Sequence, residues 1–181
     1  MLSWVAQGIG MLGTALVMAS FQFRGRRLFL LQGIAAVAFA VNFALLEAYA
    51  GMLLNVLSAV RGGLLSMESK GWASHPFWFW FLQIAYVVCG VVTWQHWFSL
   101  LPVIAMMVST VTMWRKNGRQ IRTMQLLVVS PCWMIYSSLV FSVSGIVTEL
   151  FNIVSIVVSI VRFGWNGLNL PEPEQSNIPH R

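Results

Sequence analysis

The chain has 181 residues, of which 58% are hydrophobic and 9% are charged. Soluble domains usually carry about a quarter charged residues, so this composition excludes a water-soluble enzyme and favours a protein that lies in lipid. The formal net charge of +6 does not indicate nucleic-acid binding, because the basic residues stand in short clusters between apolar runs and not on one water-facing element.

Apolar segments long enough to cross a bilayer follow one another along the chain as far as Gly164. The first segment has no Lys or Arg before it, so we expect a retained helix and not a cleavable signal peptide. The long apolar run 28–66 requires a turn, which 47–51 supplies. The pattern predicts seven helices, at approximately residues 2–21, 28–48, 50–66, 76–93, 97–114, 121–142 and 144–164.

The predicted fold class is an all-α, polytopic membrane protein with one transmembrane domain over 1–164. The tail 165–181, rich in Pro and Glu, is predicted to be cytoplasmic and disordered. An N-terminus in the periplasm places all 11 Lys and Arg residues toward the cytoplasm, as the positive-inside bias favours in a bacterial inner membrane. A six-helix alternative treats the third segment as re-entrant, but it weakens this charge pattern.

The loops after the first and fifth helices resemble each other at an offset of 93 residues. The matched positions are Phe21, Gly25, Arg26, Leu28 and Gln32 in the first loop and Trp114, Gly118, Arg119, Ile121 and Gln125 in the second. This match predicts a 3+1+3 arrangement, in which a linker helix joins two parallel three-helix repeats. The alternative is that both loops are basic only because of the positive-inside bias.

Polar residues inside lipid-spanning helices are costly and therefore indicate functional positions. We predict that four of them bind a solute: Asn55, Ser58, Asn152 and Ser155. Glu149 is predicted to act as an outer gate or a proton site, and Pro131 to let the sixth helix bend. The alternative is that the Asn and Ser side chains only join helices through hydrogen bonds.

Three arginines are predicted to be cytoplasmic charges: Arg61, Arg122 and Arg162. We expect Arg61 and Arg162 to extend their guanidinium groups to the lipid headgroups.

The sequence shows neither a Ser-His pair inside the apolar segments nor histidines at metal-ligand spacing, so we expect no enzyme, no cofactor and no metal site. The two cysteines, Cys89 and Cys132, are expected to be packing residues. The function that the polar residues favour is a facilitator or secondary carrier of a small polar metabolite, working by alternating access in the lipid bilayer. A non-transporting scaffold or assembly partner is the alternative, and a homo-oligomer is compatible with either.

Several ordered motifs together resemble the YgjV family of bacterial inner-membrane proteins. They are Leu100-Leu-Pro-Val-Ile104, Ser109-Thr110, Cys132-Trp133, Gly145, Glu149 and Arg162-Phe163. The chain is also distantly similar to the PQ-loop and SWEET-like carriers. Ser20-Phe-Gln22 stands where those carriers have Pro-Gln, so their hinge mechanism does not transfer directly.

Overall fold

The computed structural model describes residues 2–20, 26–67, 71–115 and 118–167, and every regular element within these ranges is helical. The prediction of an all-α fold is thereby confirmed. The helices are α1 (Leu2–Ser20), α2 (Arg26–Leu45), α3 (Tyr49–Ser66), α4 (Pro76–Val92), α5 (Leu100–Arg115), α6 (Gly118–Met124), α7 (Ser130–Leu139) and α8 (Val143–Gly167). A 3₁₀ turn at Trp97–Ser99 precedes α5, and a π-helical turn at Gln125–Val129 joins α6 to α7.

Short connections reverse the chain direction between successive helices, except that α6, the π-helical turn and α7 continue in one direction, and the bundle therefore has two distinct ends. We call one the basic end, because α1, α3 and α5 finish there and α6 begins there with Arg119 and Arg122. The opposite end carries the turns 46–48 and 140–142. The predicted tail lies outside the described residues from 168 onward, while α8 itself continues to Gly167.

The distribution of polarity is inverted relative to a soluble protein. Ser130, Ser142 and Ser144 are fully buried, whereas Val92 is 75% exposed and Val161 is 81% exposed. Water disfavours such an apolar exterior, since large exposed apolar patches on soluble proteins are rare. Lipid accepts it, and buried hydroxyl groups find hydrogen-bond partners inside the bundle, as Ser130 does with Gln125 and Ser142 with Asn42.

Helix length restricts which helices can cross a membrane more than composition does. Among the described residues, one helical stretch, Trp97–Arg115, is both long and apolar enough to cross a membrane. The 17 residues of α4 span about 25 Å, less than the roughly 30 Å of a hydrocarbon layer. Such helices fit a bilayer that thins locally or flanking residues that reach its interface.

Two turns at the opposite end have the same backbone geometry. Glu47 and Phe141 both have a positive φ, of 57° and 56°. After α2 the Ala48 N–H donates to the Phe43 carbonyl at 2.9 Å, and after α7 the Ser142 N–H donates to the Ser137 carbonyl at 2.8 Å. Each turn is a Schellman motif, which ends its helix at the left-handed residue. The predicted second helix, 28–48, therefore ends at Leu45, and the predicted sixth helix, 121–142, ends at Leu139.

The two turns stand 94 residues apart, and the same offset relates Gly51 to Gly145. A Cβ on Gly51 would lie 2.8 Å from the Phe43 ring and 2.9 Å from the Tyr136 ring, and one on Gly145 would meet the Ser137 side chain. Both glycines thus permit close contact with the helix that precedes their own. The 3+1+3 repeat remains a prediction, which these equivalent turns favour. The two loops at the basic end are related by an offset of 93 residues, one fewer than the offset between the turns.

The sixth predicted helix contains a defect next to Pro131. Because proline has no N–H and its ring crowds the carbonyl four residues earlier, a regular α-helix cannot pass through it unchanged. Here the Ser130 N–H donates to the Gln125 carbonyl, five residues back, which is the π-helical pattern. Such π-bulges occur frequently at functional sites.

Candidate functional site

A cavity of about 690 Å³ lies inside the bundle. Its wall is formed by residues of α1, α2, α3, α5, α6, α7 and α8, together with the π-helical turn. The volume falls within the roughly 300–1,000 Å³ that is usual for small-molecule sites. The cavity is therefore large enough for a metabolite.

The four residues predicted to bind a solute all line this cavity. Asn55 and Ser58 come from α3, and Asn152 and Ser155 come from α8, so both predicted repeats contribute to the wall. The Asn55 amide nitrogen donates to the Gly51 carbonyl at 2.9 Å, which holds this side chain against its own helix. The structure thus brings the predicted residues together, and whether they bind a solute remains a prediction.

Arg61 has a different environment from the one expected. Its side chain is only 8% exposed and lines the cavity, so the prediction that it extends to the headgroups is wrong. The Nη1 atom donates to Ser109 at 3.1 Å and to Thr110 at 2.9 Å, and Nη2 donates to Ser58 at 3.3 Å. A long side chain in a helix points back toward the N-terminus of that helix, so the Arg61 guanidinium is directed away from the basic end. Hydroxyl groups on α3 and α5 then hold it inside the bundle.

A Tyr hydroxyl extends this arrangement into α4. The Thr110 hydroxyl, which accepts from Arg61, donates to the Tyr86 hydroxyl at 3.2 Å. Thr110 and Tyr86 are both fully buried. Three helices, α3, α4 and α5, are thereby fixed around one cation.

Glu149 is also buried and lines the cavity, with 9% of its surface exposed. Its carboxylate accepts from the Asn152 amide at 3.4 Å and from the Ser130 hydroxyl. The Gln125 amide in turn donates to Ser130 at 3.1 Å, so the π-helical turn is connected to the carboxylate. Pro131 does not line the cavity; it shapes the turn that presents Ser130 and Gln125.

Residues that the sequence analysis did not assign to the site complete it. Ser109, Gln125 and Gln32 also line the cavity, and Ser130 is a hydrogen-bond partner of Glu149. In the sequence, Ser109 and Thr110 stand out only as part of a family motif. Their partner Arg61 could have indicated them, because a charge inside a lipid-spanning helix requires hydrogen-bonding groups on its neighbours.

Layers of buried side chains close the opposite end of the cavity. Phe43 and Trp133 line it there, with ring centroids 5.8 Å apart, and Tyr136 packs behind them. The Tyr136 hydroxyl accepts from the Gly51 N–H at 2.9 Å. Nearer to the turns, the Asn42 amide donates to the Ala6 carbonyl at 2.7 Å and accepts from Ser142 at 2.9 Å.

Toward the basic end the lining continues along Phe29, Leu65, Met113 and Arg122. Arg122 therefore lines the cavity from the last turn of α6. Arg162 belongs to α8, but its side chain lies outside the described part of the structure.

Comparison with known proteins agrees with the resemblance seen in the motifs. The model of the Imp-YgjV family, described as bacterial inner membrane protein, matches residues 4–166. The inner membrane protein YgjV of Escherichia coli (strain K12) is 26% identical over 164 residues, covering 88% of this chain and 85% of that protein. No solved structure matches the chain significantly. Because the family model covers nearly the whole chain, this protein belongs to the Imp-YgjV family of bacterial inner membrane proteins.

Proposed function

We propose that this inner membrane protein is a facilitator or secondary carrier of a small polar metabolite, and that it is not an enzyme. The observation that carries the proposal is the cavity of about 690 Å³, which polar side chains from both predicted repeats line within an otherwise apolar bundle. A scaffold needs no such space, because a bundle that only holds partners gains stability by filling its centre.

The cavity also has the asymmetry that alternating access requires. One end is closed by Phe43, Trp133 and Tyr136, while the lining reaches toward the basic end as far as Leu65 and Arg122. In this proposal the structure is the state that faces the basic end. Rocking of the two three-helix units would part the aromatic layer and close the basic end around the same site.

The π-helical turn before Pro131 supplies a place where one wall can bend. A bulge of this kind leaves the helix one hydrogen-bond register away from a regular α-helix. Gln125 and Ser130 flank the turn and connect it to Glu149, so a bend there would move the gate or proton site proposed for that carboxylate.

Uptake into proteoliposomes tests the proposal. Purified full-length protein would be reconstituted and exposed to a panel of labelled polyols, sugars, amino acids and organic acids, with protein-free liposomes as the blank. We expect saturable flux of at least one class, lowered about fivefold by Asn152→Ala, since one hydrogen bond to a solute contributes about 1 kcal/mol.

A matched control is Ser138→Ala. The Ser138 hydroxyl is exposed and donates at 2.8 Å to the Met134 carbonyl of its own helix, away from the cavity. This variant is expected to retain full flux. Folded protein that moves no member of the panel would contradict the proposal, and so would flux that Asn152→Ala and Ser138→Ala change equally.

A further inference from the structure

The cavity holds two buried groups of opposite charge that do not contact each other. Within the described part of the chain, the Arg61 guanidinium donates to the hydroxyls of Ser58, Ser109 and Thr110. The partners of the Glu149 carboxylate are the Asn152 amide and the Ser130 hydroxyl. All of these partners are neutral, so they orient the two charges without neutralising them. Buried charges of this kind are costly unless an opposite charge compensates them.

Both charged groups have hydrogen-bonding capacity left for a further molecule. A guanidinium carries five N–H donors, and three of those on Arg61 go to hydroxyls within the described part of the chain. The two that remain, on Nε and Nη2, suit a carboxylate, which arginine binds through paired N–H groups. The two oxygens of Glu149 offer about four acceptor sites, more than Asn152 and Ser130 occupy.

The equivalent turns place one hydrogen-bond partner of each group at corresponding positions. Ser58, which accepts from the guanidinium, follows Glu47 by 11 residues, and Asn152, which donates to the carboxylate, follows Phe141 by the same 11 residues. Glu47 and Phe141 occupy the same position in the two Schellman turns at the opposite end. With α3 and α8 both running from that end, the guanidinium and the carboxylate extend toward these corresponding positions, although Arg61 and Glu149 themselves follow their turns by 14 and 8 residues.

We infer that this site takes a small zwitterion, a solute with a carboxylate for Arg61 and an ammonium group for Glu149. Such a solute would supply the missing charge to both residues at once, which neither a neutral polyol nor a simple acid can do. Arg122 also lines the cavity, from the last turn of α6, and it has an interaction of its own within the described part of the chain. The inference uses the cavity of the proposed carrier and names its substrate class.

Binding to purified full-length protein in detergent micelles tests this inference without any transport step. Titration calorimetry would compare alanine with propionate, which lacks the ammonium group, with ethylamine, which lacks the carboxylate, and with glycerol. We expect alanine to bind at least about tenfold more tightly than each of the others, because each comparison removes a charge-assisted hydrogen bond. Glycine, β-alanine and γ-aminobutyrate would then give the preferred separation of the two charges.

Two variants assign the selectivity to its residues. Glu149→Gln is expected to bring the affinity ratio of alanine to propionate close to one, and Arg61→Gln is expected to do the same for alanine to ethylamine. Ser138→Ala, a neutral change at an exposed position outside the cavity, serves as the matched control and should leave both ratios unchanged. If a charge variant does not fold, the comparison of the four ligands on unaltered protein decides the question.

Equal affinity of the unaltered protein for alanine and glycerol would overturn the inference, as would ratios that Glu149→Gln and Arg61→Gln leave intact. Its failure is distinguishable from failure of the carrier proposal. Saturable flux of neutral solutes without a preference for zwitterions would refute the substrate class and leave the carrier. Selective binding of alanine without flux would refute the carrier and leave a zwitterion site.

Discussion

Gly51 offers a direct test of the contact between the two predicted repeats. A methyl group at this position would meet the Phe43 ring at 2.8 Å and the Tyr136 ring at 2.9 Å, both closer than carbon atoms normally approach. Phe43 and Tyr136 are almost fully buried and pack on each other, with centroids 5.7 Å apart, so neither ring can move freely. Overpacking of this kind costs about 1–3 kcal/mol.

The substitution Gly51→Ala also has a favourable contribution, because alanine stabilises a helix interior by up to about 1 kcal/mol relative to glycine. Gly51 is the third residue of α3, where that gain is smaller. We therefore expect a net loss of about 1–2 kcal/mol in the free energy of unfolding, which combines the overpacking cost with a reduced helix gain. For a chain of this size the loss corresponds to a melting temperature lower by roughly 2–8 °C.

Gly63 is the matched control on the same helix, because a Cβ there would meet nothing within 4 Å. Thermal unfolding of purified Gly51→Ala and Gly63→Ala in the same detergent would be followed by circular dichroism. We expect Gly63→Ala to melt at or above the temperature of the unaltered protein. A Gly51→Ala variant as stable as Gly63→Ala would refute the close contact between α3 and the aromatic layer.

Three further predictions concern the closed end, the bulge and the orientation. Tyr136→Phe removes the acceptor of the Gly51 N–H, and we expect a loss of about 0.6–1.7 kcal/mol by thermal unfolding, with the half-exposed Tyr49→Phe unchanged. Pro131→Ala is expected to raise the melting temperature and lower flux, since a regular helix would turn Gln125 relative to the cavity; higher flux would contradict this. In a background where both cysteines are replaced, an impermeant maleimide should label Gln95→Cys from outside intact spheroplasts and Ser74→Cys only after lysis, and the reverse pattern would overturn the predicted orientation.

The sequence was most informative about the lipid environment of the chain and about the positions of its helices. Continuous apolar runs separated by charged or turn-forming residues predict helices directly, because lipid requires each span to satisfy its own backbone. The ends of the helices were less predictable. Glu47 and Phe141 both adopt a positive φ that favours glycine, so neither residue type signals the Schellman turn that ends its helix.

The candidate site was predictable where polar residues stand alone in apolar helices. Asn55, Asn152 and Glu149 could be singled out for this reason, and the structure places all three on one cavity. The direction of the Arg61 side chain could not be read in the same way. A guanidinium near a helix end can reach the headgroups or turn inward, and the choice depends on Ser109 and Thr110 of α5, which are distant in the chain.

The central claim is that water and solute reach the polar groups of this cavity, and thiol accessibility measures it most directly. In a background without Cys89 and Cys132, Asn152→Cys would be compared with Val154→Cys, which lies on the same helix and has its side chain 59% exposed on the outer surface of the bundle. A charged, membrane-impermeant methanethiosulfonate would be applied to membranes open on both sides. We expect rapid modification of Asn152→Cys and little of Val154→Cys, because the reagent enters water but not lipid. Modification of Val154→Cys alone, or of neither thiol, would contradict the claim.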